Sequence, residues 1–284
     1  MTGRRGVSPT VRRRRLGAEL RRYREAAGLT IDQVAESMDC SASKISRLET
    51  GQTGSSPRDV RDILALYQVG EAEIEDLLEV AKETRQRGWW QRQGAVLTSA
   101  FIGFEAAAQY VRSYEAQCVP GLLQTEEYAR QLIAGGGNDN AEQIENRVRV
   151  RMARQTLLTQ DDPLDFWCVL DEAVLLRPVG GRDVMRCQLK HIAKVSSLDN
   201  VTLQVLPLEI GAHAGMDGSF VLLRFPHEGD PDTVYVTMAT GGVFQEKPDE
   251  LSRYANIFDR LTAAALTPED SMALVLKMAE ESTT

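Results

Sequence analysis

Histidine and cysteine are scarce in this chain, at three and four residues among 284. Cys40, Cys118, Cys168 and Cys187 stand far apart with no C-x-x-C pair, and His191, His213 and His227 show no H-x-x-x-H spacing. A metal site needs several ligands at short recurring intervals, so no metal is expected. Four scattered thiols fit a reducing compartment better than a disulfide frame. No run of eighteen apolar residues occurs, so no membrane-spanning helix is expected. The first residues, MTGRRGVSPTVRRRR, carry arginines with no apolar stretch behind them, which does not read as a secretory signal. The expected location is cytoplasmic, at the nucleoid. Gly135-Gly136-Gly137 and Gly180-Gly181 lack the G-x-G-x-x-G pattern and a phosphate-binding lysine, so no nucleotide or other cofactor is expected.

The net charge of -8 is unevenly spread. Residues 1–69 hold 13 basic against eight acidic side chains, a balance of +5; the remainder holds 20 against 33, a balance of -13. A basic head on an acidic protein suits a polyanionic partner.

The head reads as helices. Leu16, Leu20 and Tyr23 recur at helical spacing over residues 10–27, and Gly28 suits a left-handed helix end. Thr30 and Gln33 have capping-box spacing before IDQVAESM. Ser41 caps the next helix, ASKISRLE, which buries Ile45 and Leu48. A fourth helix begins at Pro57 and a fifth runs from Gly70 to about Arg87. Ala35, Asp39 and Ile45 match a helix-turn-helix: a small residue at the crossing, a left-handed turn residue, and a β-branched residue in the second helix. The outer face of the third helix is then Ala42, Ser43, Ser46 and Arg47, flanked by Lys44. Its short side chains admit a major groove, with Arg47 in reach of guanine edges and Ser43 and Lys44 in reach of phosphates. The cluster Arg12, Arg13, Arg14 and Arg15, at or before the first helix, suits phosphate contact without base preference.

Across residues 14–69, LRRYREAAGLTIDQVAESMDCSASKISRLETG resembles the XRE/Cro-repressor class of helix-turn-helix domains, carried by GLT-x-x-x-VA and S-x-S-K-IS-R-LE-x-G. The resemblance implies double-stranded DNA as partner. Ile31 stands where that class often has a phosphate-contacting Gln, which leaves Thr30 and Gln33 as candidates for that contact, with Ser41 a further expected DNA-binding residue.

Residues 88–284 read as a separate α+β domain with a mixed or antiparallel sheet, against an all-α head over 1–87. Trp89 and Trp90 sit between the two, as hinge packing or as a ligand or partner surface. YVRSYEAQ, NVTLQVLPL, GSFVLLRF, DTVYVTMAT and GGVFQE are strand candidates, the second with half-buried alternation. CVPGLLQT reads as an exposed apolar loop, and residues 141–158 as one long amphipathic helix. DFWCVLDEAVLLRPVGG reads as a strand entering a turn, with Glu172 a buried structural or salt-bridge group beside Arg177. The glycines around His213 fit a loop approached closely by a ligand or another chain. Asp171-Glu172 has no visible catalytic complement and Cys118 no neighbouring base, so no enzyme is expected.

GWWQ, IGFEAAAQYVRSYEAQCVPGLLQTEEYAR, VLDEAVLLRPVGG, NVTLQVLPLEIGAHAGMDGSF and TGGVFQEKPDELSRYANIFDRLTAAAL resemble a large domain that accompanies XRE-type heads in many actinobacterial regulators of the Scr type, described as antitoxin-like. That resemblance implies a transcriptional regulator, often encoded beside a small partner protein. The expected function is sequence-specific DNA binding, controlled through residues 88–284 by a ligand or small protein. The alternative is an antitoxin-like protein that sequesters its partner and autoregulates its operon. One reading helix covers few base pairs, so a homodimer is expected, held through residues 88–284 by the amphipathic helix and the VPGLL loop.

Overall fold

A computed structural model describes residues 9–84, 99–137, 139–226, 230–239 and 241–281. They form a helical unit and an α+β unit, each with its own core. The expected boundary at 87/88 and the paired Trp89 and Trp90 lie outside the described residues.

The helical unit contains α1 (Pro9–Ala26), α2 (Ile31–Ser37), α3 (Ala42–Glu49), α4 (Pro57–Leu66) and α5 (Glu71–Glu83). Apolar residues at helical spacing close one core: Leu16 and Leu20 of α1, Val34 and Ala35 of α2, Ile45 and Leu48 of α3, Val60, Ile63 and Leu64 of α4. Each helix boundary has a local cause. Thr30, Ser41 and Ser56 accept hydrogen bonds from the amides of Gln33, Lys44 and Asp59. At the other ends, Gly28, Asp39, Gly51 and Gln68 are left-handed, with φ of 70°, 48°, 67° and 59°. After each of them the next amide bonds five residues back, as Cys40 N does to Ala35 O at 2.9 Å. Four successive helices thus end in the same six-residue clasp.

The α+β unit carries a six-stranded sheet in the order β3-β2-β1-β4-β5-β6. Its strands are β1 (Tyr110–Glu115), β2 (Asp165–Asp171), β3 (Val201–Leu206), β4 (Phe220–Arg224), β5 (Thr233–Met238) and β6 (Gly241–Gln245). β1, β2 and β3 run parallel; β4, β5 and β6 are antiparallel neighbours, so the sheet is mixed. The helices are α6 (Ser99–Ala107), α7 (Glu126–Gly135), α8 (Ala141–Arg154), α9 (Glu172–Leu176), α10 (Arg182–Val195), α11 (Pro248–Ala264) and α12 (Pro268–Glu281). On one face Tyr114, Val169, Phe220 and Val234 pack against Phe258 and Leu261 of α11. On the other, Phe101 and Phe104 of α6 pack at a tilt against Tyr235 and Phe244 with centroids 4.6 and 4.8 Å apart. Beside them, the buried Glu105 carboxylate takes two bonds from Arg154, at 2.6 and 2.7 Å.

Several expectations need correction. The VPGLL loop is buried: Val119, Leu122 and Leu123 are at most 2% exposed, because a short 3-10 turn at Gly121–Leu123 folds them inward. The long helix over 141–158 is α8 followed by a tighter turn at Gln155–Leu158. Its apolar side, Ile144, Val148 and Met152, is already covered by Ala129 and Ile133 of α7. Neither segment offers the free surface expected of a dimer contact. β2 does not enter a turn directly; Asp171 caps a short helix, α9, by accepting from Ala173 N. β3 is almost wholly buried, because its alternate residues meet helices on both faces of the sheet. Glu172 accepts from the Leu208 amide at 2.9 Å, and Arg177 is exposed.

Candidate nucleic-acid interface

The α2–α3 unit is fixed from within before any side chain faces outward. At Gly17 of α1, an added Cβ would lie 2.5 Å from the carbonyl oxygens of Leu48 and Glu49, so α1 crosses the end of α3 backbone to backbone. Arg24 of α1 grips the Glu49 carboxylate with two bonds, at 2.7 and 3.0 Å, and donates a third to Leu29 O at 2.8 Å. Ala35, 4% exposed, keeps α2 close to α3, and Asp39 supplies the left-handed turn between them.

Among the side chains expected at the interface, Ser43, Lys44 and Arg47 are exposed on α3, and Ser46 is half-buried. The Arg47 Nε donates to Ser43 O at 3.2 Å, which lays the guanidinium along the helix and leaves its remaining donors outward. The Lys44 ammonium sits 3.4 Å from an Asp59 carboxylate oxygen, both side chains well exposed. Such a pair is weak and easily displaced by phosphate. Ser41 is exposed, and its hydroxyl oxygen caps α3 at Lys44 N.

Thr30 and Gln33 form the full capping box. The Thr30 hydroxyl accepts from Gln33 N, and the Gln33 side-chain carbonyl accepts from Thr30 N at 2.9 Å. What Gln33 offers outward is its amide NH2, a donor suited to phosphate. Arg12, Arg13, Arg14 and Arg15 lie inside α1 rather than ahead of it, since the helix already begins at Pro9. They therefore point around the helix instead of trailing as an arm. Arg12 is buried; Arg13, Arg14 and Arg15 are half-buried, and burial lowers the pKa of Arg13 below the usual guanidinium value. Sequence reasoning missed Arg58, 90% exposed in the first turn of α4 next to Asp59, because no spacing rule tied it to α3. It also missed the role of Glu49, which lies within the LE-x-G motif.

His213 is not brought to this interface. It lies in the α+β unit, on the connection between β3 and β4. Its Nδ1 accepts from Gly215 N at 3.2 Å, and its Nε2 lies 3.6 Å from an Asp171 oxygen toward which the Tyr114 hydroxyl also points, at 3.4 Å. Both ring nitrogens thus face protein groups. The close approach expected at these glycines is made by the Tyr114 ring, 2.5 Å from where a Gly215 Cβ would stand. Among the described residues, no cluster of three or more His, Cys, Asp or Glu side chains could hold a metal ion, and no helix is long and apolar enough to cross a membrane.

Residues 15–77 match the family model of a helix-turn-helix domain, so the head is a domain of the DNA-binding type. Residues 98–277 match that of a domain of unknown function, DUF5753. No curated protein and no solved structure matches the chain.

Proposed function

The chain belongs to the DUF5753 family, and from its helix-turn-helix head together with the geometry of α3 we infer that it is a sequence-specific DNA-binding transcriptional regulator. One observation carries the reading. α3 is anchored by the buried Arg24–Glu49 pair and the Gly17 crossing, while its other side presents Ser43, Lys44 and Arg47 to solvent. A rigid helix with short polar and cationic side chains outward is what major-groove reading needs. Half-sites one helical turn apart, about 34 Å, would give a homodimer useful specificity. The test is selection of bound sequences from a random duplex pool, followed by binding titrations at two salt concentrations. A consensus that Arg47→Ala relaxes supports the reading. Equal binding of all duplexes by the wild-type chain overturns it.

The α+β unit is read as the control and assembly domain, with no catalytic step assigned to it. What supports this is a set of exposed large apolar side chains. Leu176, Leu208, Ile210 and Met216 are 40–67% exposed, on segments that follow the adjacent parallel strands β2 and β3. Large apolar side chains exposed on neighbouring segments suit a surface that another chain covers. A homodimer places a second copy there; the antitoxin-like alternative places a small protein there. Sedimentation of the full chain decides between them. A dimer made monomeric by Leu208→Glu with Met216→Glu supports the homodimer, and a wild-type monomer supports the alternative.

A further inference from the structure

α11 covers the sheet face only in part. Beyond Phe258 it leaves a cleft of about 310 Å3 over the start of β1 and the end of β4. This lies at the small end of the volumes that hold low-molecular-weight ligands. Leu222 of β4 and Leu251 and Ala255 of α11 give the cleft an apolar bed. Three charged side chains line it: Arg112, Arg224 and Asp232. Arg224 is bonded to Asp232 at 3.2 Å, and among the described residues Arg112 is paired only with Asp259, which is not part of the lining.

The Arg112 guanidinium lies to one side of the edge-to-face Trp167–Phe258 pair, 5.8 Å from the Trp167 centroid and 5.7 Å from that of Phe258. Its nearest carboxylate, Asp259, stands outside the cleft at 3.6 Å, too far for a hydrogen bond, and is 68% exposed. A planar cation at the wall of a cleft with an apolar bed matches a carboxylate, which a guanidinium can take with two parallel bonds. Inorganic phosphate fits poorly, because it has no apolar body for Leu222 and Leu251.

We propose that this cleft binds a small monocarboxylate with a compact apolar body, the carboxylate on Arg112 and the body on Leu222, Leu251 and Ala255. It rests on the regulator reading only for its consequence, a ligand class for the control domain; the binding itself is measured without DNA. The experiment is isothermal titration of the full chain with benzoate and hexanoate, with benzamide and hexanamide as neutral counterparts and phosphate as an anion without an apolar body. The carboxylates are expected to bind at least about tenfold more tightly than the amides, the usual gain from a charge-assisted bond, and phosphate not to compete. Arg112→Gln should abolish the preference, and Ala255→Trp should block all probes by filling the cleft. Circular dichroism verifies that each variant folds; if Arg112→Gln does not, Ala255→Trp carries the test. Equal binding of carboxylates and amides, binding undiminished in Ala255→Trp, or no binding of any probe at millimolar concentration overturns the proposal. Each of those outcomes leaves the DNA titrations standing, and failure of those titrations leaves carboxylate binding standing.

Discussion

Arg24 of α1 and Glu49 hold α1 to the end of α3. The Glu49 carboxylate receives both prongs of the guanidinium, and the side chains are 10% and 5% exposed. The bond to Glu49 raises the pKa of Arg24, which therefore stays charged at every pH at which the protein folds. Since Arg24 also bonds Leu29 O, one cation fixes the end of α3 and the entry to α2 together. Glu49→Ala should destabilise the head by about 3–5 kcal/mol, because it strands a buried cation. The double replacement Arg24→Met, Glu49→Leu should cost far less. Urea unfolding followed by far-UV circular dichroism measures both; a Glu49→Ala loss under about 1 kcal/mol would show that water replaces the carboxylate.

Asp39 and Gln68 occupy left-handed positions that Gly28 and Gly51 occupy without strain. Asp39→Gly and Gln68→Gly should each stabilise by about 0.5–1 kcal/mol, the part of the left-handed penalty left after the glycine's greater unfolded freedom is subtracted. Gly17→Ala should go the other way, by roughly 1–3 kcal/mol, since the added methyl meets two backbone carbonyls that cannot turn aside. Thermal melts of the three variants test the pair of signs.

Lys44 and Asp59 make a second, weaker pair at the edge of α3. Lys44→Ala should weaken binding to all duplexes alike and flatten its salt dependence, whereas Arg47→Ala should cost about 1–3 kcal/mol and relax sequence choice. Asp59→Asn, by freeing the ammonium, should tighten non-specific binding about two- to fivefold, the worth of an exposed pair. Fluorescence anisotropy on matched and scrambled duplexes separates the three. Unchanged salt slopes in both Lys44→Ala and Asp59→Asn would remove Lys44 from the contact.

Glu115, at the end of β1, should make the α+β unit sensitive to pH. Burial pushes its carboxyl up to about 7, against the opposing hydrogen bonds of Ser113 and Ser219 and the nearby Arg154 and Arg151. A folded pKa above the unfolded one means that the native state binds the extra proton. Stability is then greatest below about pH 4.5 on this account and falls as pH rises to about 7, by on the order of 3 kcal/mol. Glu115→Gln should remove that slope and stabilise the protein at neutral pH. Denaturant midpoints between pH 4.5 and 8 check it, and an identical slope in wild type and variant would assign the pH dependence to another group.

The head was readable because its rules are local. Thr30 with Gln33, Ser41 with Lys44 and Asp39 before Cys40 all act within a few residues, so spacing alone predicts α2 and α3. The α+β unit was readable as a list of strands but not as an arrangement. The pairing Tyr114↔Phe220 joins residues more than a hundred apart, and no periodicity encodes it. The same distance hid the Glu172–Leu208 bond and the cleft around Arg112. The VPGLL loop misled because an apolar turn looks the same whether solvent or a second layer lies over it; Leu122 and Leu123 are covered.

The repeated six-residue clasp at the ends of α1 to α4 also bears on the order of events in time. Every one of those closures is complete once six consecutive residues exist, whereas the central β1–β4 seam cannot form until Phe220 has been made. Chains dominated by local contacts fold in microseconds to milliseconds, and long-range sheets fold more slowly. During synthesis the head should therefore be formed while β4 is still unmade and the apolar faces of β1 and β2 are uncovered. Pulsed hydrogen exchange on the refolding chain should show amides such as Cys40 protected before those of β1. The early folder is the half that meets DNA, and the half that must find distant partners is the one at risk of aggregation on the way.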